Sequence, residues 1–127
     1  MSDLVRRITV DHLTLPVADV DRSRAFYEAV LAPLGFHTVE GDGYVAFGAP
    51  GSEDFAIAAG APSPAGVHVA FAAASRDEVD AFHAAALAAG ATDNGAPGLR
   101  PRYHAGYYGA YVLDLDGYNV EAVFHDR

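Results

Sequence analysis

Apolar residues alternate with polar or small ones over Leu13, Leu15 and Val17, over Val67, Val69 and Phe71, and over Val120, Ala122 and Phe124. A period of two predicts half-buried strands. Two stretches carry the helical period instead. Phe26, Val30 and Leu34 share one face of a stretch starting at Asp21, and Val79, Phe82 and Ala86 share one face of a stretch starting at Arg76. Asp19 or Asp21 can cap the first helix, and Ser75 with Glu78 makes a capping box for the second. Gly35 and Gly90 suit left-handed caps at the two helix ends.

The pattern occurs twice. His12 and Phe26 stand 14 positions apart, as do His68 and Phe82. Short strands follow each helix: 36–40, 44–47 and 54–59 in the first half, then 110–115 and 118–125 in the second after a weak segment at 91–93. Asp116-Gly117 reads as a two-residue hairpin turn. The Pro-containing stretch 60–65 reads as a linker, and 94–106 as a long irregular loop of the kind that carries function or motion. The expected architecture is α+β. One domain spans 1–127 and consists of two βαβββ modules, about 6–60 and about 66–127. They form a curved, partly closed mixed sheet, a half-barrel with the helices outside. Such a sheet has one face beneath the helices and one lining a hollow.

Composition narrows the chemistry. The chain has 127 residues, no cysteine, and eight cationic side chains that are all arginine. Disulfides, thiolate metal sites, cysteine nucleophiles and lysine Schiff bases are excluded. A net charge of −9 disfavours nucleic acid and anionic membranes as partners. The N-terminus lacks an apolar signal core and no apolar run approaches the ~20 residues of a membrane helix, so a cytoplasmic location is expected.

Strand parity singles out three side chains. His12, His68 and Glu121 lie on the faces opposite the apolar ones and point into the hollow. Two imidazoles and a carboxylate with open positions can bind a divalent metal and leave room for a ligand; Zn, Ni, Fe, Mn and Co all suit that set. A carboxylate in an enclosed position also needs a partner or a metal. Arg100, Arg102, Tyr103, His104, Tyr107 and Tyr108 crowd into nine positions. They read either as a lid over the substrate or as a solvated loop with aromatic anchors. As a lid, Arg100, Tyr103 and Tyr107 bind a small-molecule substrate, and His104 and Tyr108 join Glu121 as catalytic groups. Tyr111 falls either in the hollow, as a further substrate contact, or in the core. His37, His83 and His125 read as ordinary structural or surface residues.

The stretches DHLTLPVADVDRSRAFYEAVLAPLGF (11–36), GVHVAFAAASRDEVDAFHAAALAAGA (66–91) and YVLDLDGYNVEAVFH (111–125) resemble the vicinal oxygen chelate superfamily. That superfamily includes glyoxalase I, extradiol dioxygenases, fosfomycin-modifying transferases and bleomycin resistance proteins, and the likeness covers essentially the whole chain. The resemblance implies ligands from the first strand of each module and the last strand of the second, here His12, His68 and Glu121. It implies a glyoxalase-like lyase or isomerase that chelates vicinal substrate oxygens on a divalent metal. The alternatives are an extradiol-type dioxygenase or a non-catalytic drug-binding protein. It also implies a homodimer, with the site inside one chain or shared between two. Glyoxalase I commonly adds a fourth ligand, a carboxylate on the last strand of the first module. The matching position here is Ala56, or Ile57 after a slip of one, and neither can coordinate.

Overall fold

The computed structural model describes residues 8–127. Residues 1–7, which include the start of module 1 and half of the stretch read for a signal, lie outside the described residues. The first module runs β1 (Leu13–Val17), α1 (Val20–Leu31), a 3-10 turn (Ala32–Leu34), β2 (His37–Gly41), β3 (Tyr44–Ala49) and β4 (Ser52–Ala59). The second runs β5 (His68–Ala72), α2 (Arg76–Ala88), β6 (Thr92–Leu99), β7 (Tyr107–Leu113) and β8 (Asn119–His125). The strand orders, β1-β4-β3-β2 and β5-β8-β7-β6, repeat one topology. The first pair of each sheet is parallel and the rest antiparallel. This is the expected α+β pair of βαβββ modules. The open sheets fit a curved half-barrel, but the strands divide into two sheets of four. Among the described residues no helix is long and apolar enough to cross a membrane.

The caps lie where the sequence places them. Asp19 accepts a hydrogen bond from the Arg22 amide, and Ser75 accepts one from the Glu78 amide. Gly35 and Gly90 adopt φ of +78° and +103°, which glycine reaches without a Cβ clash. Two expectations fail. The loop expected at 94–106 is strand over its first half, because β6 extends to Leu99 and 100–106 remains as connection. The sequence Thr-Asp-Asn-Gly-Ala-Pro-Gly-Leu has no strand propensity; pairing along β7 imposes the extended form, with register shifts on both sides of Gly95. β6 is an edge strand, so Pro97 removes no ladder bond from the sheet interior. The second failure is the hairpin. Five residues, not two, join β7 to β8, since the Asp114 carboxylate accepts from the Asp116 and Tyr118 amides and orders a wider turn. His83 takes the structural rather than the surface reading. It is buried on α2, and its Nε2 bonds Asp93 Oδ1 at 2.9 Å, tying α2 to the start of β6.

Both modules bury their apolar faces in one core. Ring contacts run from Tyr27 to Phe55 (4.9 Å), Phe55 to Phe71 (5.0 Å) and Phe71 to Phe82 (6.3 Å), passing from α1 and β4 of the first module to β5 and α2 of the second. Polar bonds reinforce this joint at the β7–β8 turn. The buried Tyr27 hydroxyl donates to Asp114 Oδ2, and the Tyr118 hydroxyl donates to the Pro16 carbonyl at 2.7 Å. Arg22 donates to the Leu115 carbonyl at 3.1 Å.

Burial raises the Asp114 pKa, with the Tyr27 hydrogen bond opposing it. The folded protein therefore holds that proton above the pH at which the unfolded chain releases it, and this contribution to stability falls as pH rises upward from about 4. Asp114→Ala leaves three donors unsatisfied and should lower the unfolding free energy in urea by roughly 3 kcal/mol. Asp114→Asn keeps the amide bonds, so it should lose less and should lack the decline with pH; equal losses in the two variants would contradict this role.

Candidate functional site

Because the apolar faces of both sheets share one core, each sheet turns its other face away from it. The second module carries the richer of these two faces. Ala70, Glu121 and Tyr111 stand side by side across β5, β8 and β7, with His68 and Gly109 two positions along on the same face. Glu121 has no solvent exposure, so its charge must be met by neighbours. His68 Nε2 lies 2.9 Å from Oε1, and the Tyr107 hydroxyl donates to Oε2. A Cβ on Gly109 would stand 2.9 Å from Oε2 and 3.2 Å from the Tyr107 ring, so this glycine makes the room that both groups occupy. Burial, and then the Glu121 carboxylate, push the phenol pKa of Tyr107 and of Tyr111 upward. Both phenols remain proton donors beyond the range where an ordinary tyrosine ionises.

The open part of this face is a hollow of about 560 Å³. His68, Asn94, Arg100, Arg102, Tyr103, Tyr111 and Asn119 line it. Arg100, Arg102 and Tyr103 therefore gather beside His68, and Tyr111 takes the hollow rather than the core. Tyr107 holds the carboxylate. Tyr108, next along β7, points to the opposite face; its hydroxyl donates to Asp80 of α2 at 2.6 Å and Arg76 lies over its ring. Strand alternation thus separates it from Glu121. His104 does not line the hollow. Its Nδ1 accepts from the Gly106 amide, and its Nε2 lies 2.8 Å from His125 Nδ1, behind the Tyr107 ring. Asn94 and Asn119 are hollow residues that the sequence reading missed; Asn119 shares the parity of Glu121, and that parity was the available signal.

His12 stands elsewhere. It immediately precedes β1, is exposed, and bonds Asp11 at 2.8 Å. It lines a separate hollow of about 670 Å³ on the first module, together with Asp11, Thr14, Glu53, Asp54 and Ala56. Thr14 pairs with Ala56 as Ala70 pairs with Glu121, so Ala56 is the structural counterpart of Glu121. Among the described residues no three His, Asp or Glu side chains converge closely enough to hold a metal. One chain brings together His68 and Glu121 and leaves His12 apart. The two that meet fit a metal. Adjacent donors about 2.1 Å from one ion and at right angles are separated by about 3 Å, close to the spacing seen here. The Tyr107 hydroxyl supplies the outer hydrogen bond that holds such a carboxylate in place.

A family model described as Glyoxalase/Bleomycin resistance protein/Dioxygenase superfamily matches residues 9–122. A solved glyoxalase/bleomycin resistance protein from Albidiferax ferrireducens T118 is 33% identical, with a TM-score of 0.81 over 90% of this chain and 97% of that one. A glyoxalase/bleomycin resistance protein/dioxygenase family enzyme from Burkholderia phytofirmans PsJN is 21% identical, with a TM-score of 0.71 over 92% and 98%. A glyoxalase-related enzyme from Fulvimarina pelagi is 22% identical, with a TM-score of 0.71 over 91% and 87%. These last two show likeness of fold alone. No curated protein matches.

Gly109→Ala should force Glu121 and Tyr107 apart and lower the unfolding free energy in urea by about 1–3 kcal/mol. Ala70→Ser, exposed on the same face, should stay within about 0.5 kcal/mol of the parent. Equal stability of the two variants would mean that the carboxylate is not confined as described.

Proposed function

This chain belongs to the Glyoxalase/Bleomycin resistance protein/Dioxygenase superfamily, and from that membership and the Glu121 site we propose a glyoxalase-like, metal-dependent enzyme of the lyase or isomerase type acting on a small substrate with vicinal oxygens. The observation that carries the reading is the fully buried Glu121 carboxylate, shared between His68 and Tyr107 at the edge of an open hollow. His68 and Glu121 of one copy would hold the metal together with His12 of a second copy. Among the described residues β1 and β5 each pair on one side only, and the two histidines stand at their leading ends. A two-fold axis that sets β1 of one copy beside β5 of the other makes the same contact twice and closes the dimer.

A bound divalent ion (Zn, Ni, Fe, Mn or Co) supplies a Lewis acid that holds two substrate oxygens and stabilises negative charge on them. The chain's own groups do the rest. Tyr107 orients Glu121 through Oε2. The Asn94 and Asn119 side-chain amides, 3.3 Å apart, offer a donor and an acceptor to substrate hydroxyl or carbonyl groups. Tyr111 closes the floor of the hollow beside the His68 ring, 6.0 Å between centroids.

Ala56 favours a second reading, an extradiol-type dioxygenase, because its side chain supplies no fourth ligand and leaves a set of two histidines and one carboxylate. Oxygen uptake with catechol after anaerobic iron loading would select it.

Metal content after loading and dialysis tests the main reading. The parent should retain stoichiometric metal, and His68→Ala and His12→Ala should retain little. Refolding the two variants together in equal amounts should restore about a quarter of the parental content, since half of the random dimers regain one of two sites. Equal and negligible metal in parent and variants would end the metal reading and leave a binding protein.

A further inference from the structure

The two hollows carry opposite charge. In a chain of net charge −9, the first is lined by three acids and His12, whereas the second is lined by two arginines and His68, with no acid among its lining residues. The structure fixes these arginines where they stand. Arg100 Nη2 donates to the Ala96 carbonyl at 2.7 Å, and its guanidinium lies 5.3 Å from the Tyr111 ring centroid. Gly95 and Gly98 leave the space it fills, for a Cβ at either would come within 3.3 Å or 3.0 Å of its terminal nitrogens. Arg102 Nη2 donates to the Tyr103 hydroxyl at 2.6 Å, with the guanidinium 4.7 Å from that ring. Arg24 and Arg76 are paired with carboxylates, but among the described residues neither Arg100 nor Arg102 has one within ion-pairing distance. Arg100 Nη1 also donates to the Leu99 carbonyl at 3.4 Å. Each guanidinium has five N–H donors, and among the described residues these bonds leave several without a protein acceptor.

Two cations that form no ion pair among the described residues, beside a floor of Tyr111 and an Asn94–Asn119 amide pair, form a receptor for an anion. We propose that the second hollow binds a small oxyanion through Arg100 and Arg102, so that the substrate class is a carboxylate or phosphate-type anion with a hydroxyl or keto oxygen on the adjacent atom. The adjacent oxygen rests on the metal reading above. The anion does not, because the arginines hold it without His68, Glu121 or His12. The hollow's roughly 560 Å³ suits a small molecule.

The test uses the full chain, stripped of metal, in amide and arginine Nε–H NMR titrations with glycolate, inorganic phosphate and ethylene glycol. Glycolate or phosphate should give saturable shifts at Gly95, Arg100, Tyr111 and Asn119, and ethylene glycol should give none. The tighter of the two anions assigns the class. Arg100→Gln and Arg102→Gln should each weaken binding at least about tenfold, whereas Arg24→Gln, already paired at the surface, should leave it unchanged. Should one of the two hollow variants unfold, the other carries the test. Equal response to ethylene glycol, parental affinity in both hollow variants, or shifts spread over all arginines would overturn the proposal. Metal retention with no anion binding would overturn this inference alone; anion binding in a chain that retains no metal would overturn the metal reading and leave this one standing.

Discussion

The Asp114 carboxylate, buried where the two modules meet, governs how they can be arranged. It takes the Tyr27 hydroxyl from α1 of the first module and two amides from the β7–β8 turn of the second. The rings of Tyr27, Phe55, Phe71 and Phe82 continue the same joint through the core. A polar group removed from water holds its partners to one geometry, because every alternative leaves donors unpaired. With the modules locked through their apolar faces, their other faces must look away from the common core. The hollows are therefore separate within a chain.

That separation decides the chemistry open to one protomer. Internal duplication supplies equivalent positions, but the modules have filled them differently. Where the second has Glu121, the first has Ala56, and the hollows differ in lining charge, with Arg100 and Arg102 in the second and Asp11, Glu53 and Asp54 in the first. His68 and Glu121 form a half-site in which the carboxylate is buried and the imidazole half-exposed at the hollow, while His12 is exposed beside Asp11. The proposed pairing of two copies would bring unlike hollows together twice, and His12 of one copy would complete the half-site of the other.

Tyr107 shows how a strand boundary sets the role of a side chain. Read as part of a loop, it and Tyr108 are equivalent candidates. With β7 starting at Tyr107, alternation sends the first to Glu121 and the second to Asp80 on α2. Gly109 completes the arrangement by having no side chain between Glu121 and Tyr107. His104 and His125, far apart in sequence, meet behind the Tyr107 ring because β7–β8 register places His125 opposite Tyr107. None of these contacts has a local signature, since each depends on which strand lies beside which.

The sequence by itself determined what depends on neighbours a few positions apart. That includes the duplicated strand–helix unit, the caps at Asp19, Ser75, Gly35 and Gly90, and the parity that turns His68 and Glu121 to one face. Helix and strand periods follow from backbone geometry, so these features are legible along the chain. Only the tertiary structure decided that 92–99 pairs as an edge strand despite Pro97, that Asp114 widens the turn that Asp116-Gly117 suggested, and that His12 lies apart from the other two candidate ligands. These outcomes depend on how the two modules pack and which strands pair, and pairing energy between residues distant in sequence leaves no periodic trace in the order of amino acids.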